Sequence, residues 1–223
     1  MTKGKRVAQR KRSAEKFVSQ RSGGTRDNII KAARIVFTEH PYKAASVRMI
    51  GKEGGFDHPL INYYFPSKAA LFEAVVAQIC EEFCDANISW FDGLERMRPR
   101  DGLPLYLDRL IEFNRNTPEP LKIILLNCSQ IDKLEEIPGY QHIPETLAKA
   151  RRTFEDKVPL RADANQIEKF IFSFNSLLVY YLGAAPCQAA VLGMKSASAE
   201  YYKWVKETMV SVFLPLLEKL ISG

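Results

Sequence analysis

Ser46–Phe65 reads SVRMIGKEGGFDHPLINYYF, and its spacing decides the fold. Ser46 can cap a short helix with Val47 and Ile50 facing inward, closed by Gly54-Gly55. Asp57 can cap a second short helix ending at Phe65-Pro66. Its Pro59 falls in the first turn, where a missing N–H is tolerated. Two short helices around a glycine turn make a helix-turn-helix. Phe56 and Ile61 would anchor the second helix and leave His58, Leu60, Asn62 and Tyr63 outward. An asparagine can pair with adenine through N6 and N7, a tyrosine hydroxyl can reach a phosphate, and a leucine can touch a thymine methyl. An ordinary helical hairpin with a solvated face shares the spacing. It does not account for several large apolar or aromatic groups at outward positions.

The flanks keep the helical period. Thr25 can cap a helix whose inner face is Ile29, Ala33, Val36 and Phe37, ending near His40-Pro41. Ser67 can cap a long helix through Leu71, Val75, Ile79 and Phe83, ending near Gly93. Further helices are expected over Leu103–Asn116 and Leu121–Ser129, the second bounded by Pro118 and Pro120. Asp132–Tyr140 reads as a loop, and Pro144 starts a helix through Leu147, Phe154 and Val158. Asp163 and Ser198 cap the last two helices, separated by a looser stretch around Pro186 and Gly193, and Pro215 should kink the final one. No sustained alternation of period two occurs, so the fold class is all-α.

Arg26–Phe37 followed by Pro41-Tyr42, Ser46–Ile50, Gly55, Tyr64-Phe65 and Ser67-Lys68 with Leu71 together resemble the DNA-binding region of the tetracycline-repressor (TetR) family. The resemblance spans Thr25–Cys84 and is most specific in the string from Gly55 to Lys68. Pro59 stands where a small residue is common, and Asn62 where tyrosine is usual.

Charge marks residues 1–24 as a basic flexible tail, and the resemblance implies a helix-turn-helix DNA-binding domain at 25–84 and a ligand-binding and dimerisation domain at 85–223. It implies that Ser46 and Arg48 touch phosphates and that Asp57–Tyr64 lies in the major groove. His58, Leu60, Asn62 and Tyr63 would be nearest the bases, and Tyr64 and Lys68 would grip phosphates. The partners implied are a palindromic double-stranded DNA operator, a second copy joined through Asp163–Gly183 and Ser198–Ser222 as a four-helix bundle, and a largely apolar small-molecule effector. Repression is the family's usual mode. Candidate effector contacts are Phe113, Asn127, Gln130, Phe154, Phe174 and Asn175, apolar with a few amides, and ordinary core packing would explain any one of them.

Charge and cysteines bound the remaining possibilities. Of the net +6, residues 1–24 hold eight Lys/Arg against Glu15 alone, so the basic character belongs to the tail. Such an arm either gains from phosphate contact and counterion release or only keeps the chain soluble. It lacks the apolar core of a signal peptide. With 46% hydrophobic residues over 223 positions, disordered and collagen-like classes fail, and four cysteines make no disulfide framework. Cys80 and Cys84 share a helix face without a histidine at ligand spacing. They read as small buried hydrophobes, with a redox or metal role the lesser alternative. Phe170–Met194 has no charged residue, but a helix buried in protein gives the same signal as a membrane span. No Gly-x-Ser-x-Gly, His-Glu-x-x-His, Walker or Rossmann string occurs, so no catalytic residue, cofactor or metal is expected. The expected place is the cytoplasm, away from any membrane. The rival to a DNA-binding regulator is a helical ligand-binding or scaffold protein that no longer binds DNA.

Overall fold

The computed structural model describes residues 24–128 and 133–223, and every regular element among them is helical. Helix α1 covers 24–39, α2 Val47–Gly54, α3 His58–Tyr64 and α4 Lys68–Trp90. They are followed by α5 (Pro99–Asn116), α6 (Glu119–Cys128), a 3-10 turn at Leu134–Glu136, α7 (His142–Lys157), α8 (Ala164–Gly183), α9 (Ala185–Val191) and α10 (Ala199–Ser222). Two compact units result, and the division falls inside α4 between Val75 and Val76. Most of the basic tail, residues 1–23, lies outside the described residues, as does Gln130.

In the first unit, short-range capping sets the helix starts. Ser46 Oγ accepts from the Met49 N–H at 3.3 Å, Asp57 Oδ1 from the Leu60 N–H at 3.0 Å, and Ser67 Oγ from the Ala70 N–H at 3.0 Å. Thr25 differs from expectation. The backbone is already helical at Gly24, so Thr25 sits inside α1 rather than at its cap. Ile29, Ala33 and Phe37 of α1 are fully buried with Ile50, Ile61, Leu71 and Phe72. Phe37 and Phe72 meet edge to face with centroids 4.6 Å apart. Truncating either ring would cost about 3–5 kcal/mol.

The turn between α2 and α3 depends on two glycines for different reasons. Gly55 takes φ 71°, the left-handed geometry that ends α2. Gly51 lets the next segment approach, since a Cβ there would lie 2.6 Å from the Phe56 carbonyl oxygen.

In the second unit, α10 packs on α5 and α8, and α6 packs on α8. Tyr201, Val205, Met209, Phe213 and Leu217 recur every four residues along α10 and are all buried, forming one stripe. They meet Leu103, Leu107 and Leu110 of α5 and Phe170, Phe174 and Leu178 of α8. Asp163 caps α8 in a reciprocal box with Gln166, and Ser198 caps α10. Helix α10 continues through Pro215. Arg109 Nη1 donates to the carbonyls of Trp90 and Asp92 at 2.7 and 2.8 Å and so closes the end of α4.

Boundaries in the second unit also depart from the spacing, α7 among them, which begins at His142 rather than Pro144. Helix α5 begins at Pro99, not Leu103. Proline is pre-set for the first helical position, and Asp101 in that turn pairs with Arg98 at 2.8 Å, so Pro104 is accommodated within the helix. Helix α6 takes in Pro120, which is buried. The looser stretch holds the short helix α9, anchored by buried Ala185 and Ala189.

No single described helix is long and apolar enough to cross a membrane. Helices α8 and α9 reach that length and composition only together, with an 82° bend between them. The uncharged run is accounted for in part by the buried stripe Ile167, Phe170, Phe174, Leu178 and Leu182.

Candidate nucleic-acid interface

Helix α3 is held from beneath by one residue. Ile61 is 1% exposed, while His58, Leu60, Asn62 and Tyr63 on the same seven-residue helix are exposed, Tyr63 at 81%. Tyr63 meets the edge of Tyr64, with centroids 5.1 Å apart, and Tyr64 itself is half-buried. One turn apart on this face, Asn62 Nδ2 and His58 Nδ1 lie 3.0 Å apart. The amide nitrogen can only donate, so His58 Nδ1 accepts and the ring proton sits on Nε2. The second Asn62 N–H and its Oδ1 still point outward, the pair needed for a bidentate contact with adenine.

The residues expected at phosphates are placed unevenly. Arg48 is exposed in the first turn of α2, behind Ser46, whose hydroxyl is committed to the cap. Asp57 is likewise spent on capping α3. The Lys68 ammonium donates to the Tyr42 carbonyl at 2.8 Å and the Ala45 carbonyl at 2.9 Å, and sits 4.5 Å from the centre of the Tyr42 ring. Its principal local work is to tie the start of α4 to the segment before α2. Spacing gave no sign of this, because the two partners lie 26 and 23 residues away.

Residues 29–75 match the family model described as bacterial regulatory proteins, tetR family. The match covers the helix-turn-helix and its flanking helices, so this part of the chain is of the tetR type. Solved structures agree in fold. A TetR-family transcriptional regulator from Bordetella parapertussis superposes with a TM-score of 0.62 at 16% identity, covering 89% of this chain and 98% of that one. One from Streptomyces coelicolor gives 0.60 at 14%, covering 88% of each. One from Agrobacterium tumefaciens gives 0.57 at 18%, covering 89% and 98%. No curated protein matches by sequence. The described residues are thus all-helical, with a tetR-type helix-turn-helix at Val47–Tyr64.

The second unit holds a cavity of about 210 Å³. Of the residues singled out from sequence, Phe154, Phe174 and Asn175 line it. Phe113 packs against Trp90, with centroids 5.4 Å apart, and does not reach the wall. Asn127 is fully buried elsewhere and donates to the Ile123 carbonyl at 2.9 Å. Spacing missed Phe83, Asn87, Tyr106 and Phe170, which also form the wall. The one available signal was Asn87, an amide placed four residues after Phe83 on a face otherwise apolar. At the edge, Lys157 pairs with Glu95 at 3.2 Å. The Glu95 carboxyl is held below its usual range by its own backbone N–H and by Lys157.

The two cysteines read as small hydrophobes are free thiols, Cys80 buried and Cys84 half-buried. Burial pushes both thiols up. Among the described residues, no group of His, Cys, Asp or Glu is arranged to hold a metal.

Proposed function

We propose that this chain is a transcriptional regulator of the TetR family, a repressor that binds a palindromic duplex as a homodimer and leaves it when a small, largely apolar molecule fills the second unit. The observation that carries the reading is the exposed face of α3, where His58, Leu60, Asn62 and Tyr63 stand out from a helix anchored by Ile61. Such a face suits a major groove, with Arg48 and Tyr64 on the flanking backbone and two-fold symmetry setting half-sites about one DNA turn apart. Ser46 and Asp57 act there by fixing the helix starts, and Lys68 by holding α4 to the preceding turn.

Exposed apolar residues support the second copy. Phe172 and Tyr180 of α8 lie eight residues apart on one face, and Val212 and Leu216 of α10 lie four apart, all between 43% and 54% exposed. Joined across a two-fold axis, the pairs would make a four-helix bundle. The apolar cavity with Phe154, Phe174 and Asn175 in its wall supports the effector, whose binding must differ between DNA-bound and free states to shift them. Acting on DNA places the protein in the cytoplasm.

Selecting bound duplexes from a random pool tests the reading. The expected product is an inverted repeat with two half-sites. Recovery of no preferred sequence would refute it in favour of a ligand-binding protein that has lost DNA.

A further inference from the structure

The apolar wall of the cavity is broken by the amides of Asn87 and Asn175 and the hydroxyl of Tyr106, besides the charged groups at its edge. Asn87 of α4 is 4% exposed and lines the cavity. Its Nδ2 donates to the Tyr106 hydroxyl of α5 at 3.1 Å, while its Oδ1 is buried and receives no hydrogen bond. A buried acceptor left without a donor forfeits its solvation, so native proteins rarely keep one. The Tyr106 oxygen already accepts from Asn87, and its proton has no acceptor among the described hydrogen bonds. Burial also pushes the Tyr106 hydroxyl above its ordinary value, so it remains a donor. Side by side, then, stand one acceptor and one donor, both unused.

The rest of the wall constrains what could use them. Phe83, Phe154, Phe170 and Phe174 face the space, with Phe154 and Phe170 stacked 5.6 Å apart and Phe170 and Phe174 6.0 Å apart. Flat aromatic bodies suit such walls. The charges near the edge are already paired, Lys157 with Glu95 and Arg98 with Asp101. A charged ligand would therefore enter without a free counter-ion. Size narrows the choice further. A cavity of about 150 Å³ holds benzene, and drug-sized ligands need roughly 300 Å³ or more. At about 210 Å³, one ring with substituents or two fused rings fit.

Resting on the reading of this cavity as the effector site, we infer that the effector is a neutral aromatic hydroxyl compound of one or two rings, held by Asn87 and Tyr106. Its O–H donates to Asn87 Oδ1 and its oxygen accepts from Tyr106, closing a cycle with the Asn87–Tyr106 bond. Each member of such a cycle polarises the next, and no polar atom of the pair stays unused.

Calorimetric titration of the intact chain with 2-naphthol, 2-methoxynaphthalene and naphthalene tests this. The three share a ring system and differ in hydrogen bonding: donor and acceptor, acceptor only, neither. The expected result is 2-naphthol binding about tenfold tighter than the other two. In Asn87→Leu that preference should fall below about threefold, with naphthalene bound at least as tightly as before. Tyr106→Phe, which keeps the ring, should reduce the preference in part and serves if Asn87→Leu does not fold. Equal binding of all three by the natural chain would overturn the hydroxyl assignment and leave the cavity as an apolar effector site. Binding of none would overturn both.

Discussion

Asn62 donates to His58 Nδ1 at 3.0 Å, one helical turn away on the exposed face of α3. The bond uses one amide N–H and leaves the other, with Oδ1, facing outward. On the proposed reading of α3 as the DNA-contacting helix, His58 orients the Asn62 amide before DNA arrives. Asn62→Ala should cost about 1–3 kcal/mol at one base pair per half-site and relax preference there. His58→Ala should lose part of the same discrimination, and the double variant should lose less than the sum of the two. Quantitative binding to duplexes changed at each position measures this. Equal weakening on all sequences would mean that Asn62 contacts the backbone.

Gly51→Ala should destabilise the first unit by about 1–3 kcal/mol, because the new Cβ would press on the Phe56 carbonyl oxygen and only the backbone can yield. Gly24→Ala is the control, since nothing lies within 4 Å of a Cβ at Gly24. Denaturant melts of both variants check the difference. A Gly51→Ala midpoint equal to the control would show that the turn relaxes freely.

Lys68 and Arg48 should separate in their effects. Lys68→Met removes a cation from two carbonyls and should cost about 2 kcal/mol of folding stability, with little change in the salt dependence of DNA binding. Arg48→Ala, on an exposed side chain, should leave stability within about 0.5 kcal/mol and lower the salt slope by about one per half-site. Deleting residues 1–24 should flatten the slope further without altering which sequence is preferred. Binding isotherms at several salt concentrations, alongside thermal melts, distinguish these outcomes.

Phe172→Glu combined with Leu216→Glu should abolish self-association while leaving the fold intact, because both positions are exposed in the single chain. Sedimentation would give a dimer for the natural chain and a monomer for the variant. A dimer that survives both charges would place the contact on another face.

The elements that matched the sequence reading share a physical character. Ser46, Asp57, Ser67, Asp163 and Ser198 each start a helix by accepting from an N–H three residues on. A contact over three residues is written in local order. Where competition among local signals was close, the reading slipped. Proline at 120 suggested a boundary, yet Glu119 opens α6 before it, and α5 opens at Pro99 rather than Leu103. A proline in the first turn loses no intrahelical bond, so Pro99 and Pro120 fit there.

By itself the sequence determined the helix-turn-helix. The stretch Ser46–Phe65 combines caps, a glycine turn and one inward anchor within twenty residues, so its geometry follows from neighbours along the chain. Only the tertiary structure decided what the other groups do. Lys68 serves carbonyls more than twenty residues away. Phe113 and Asn127 turn from the cavity while Asn87 and Tyr106, nineteen residues apart, meet in its wall. Apolar spacing says that a side chain goes inward but not whether it meets packed atoms or a space. That depends on how separate helices cross, and periodicity along any one of them carries no information about it.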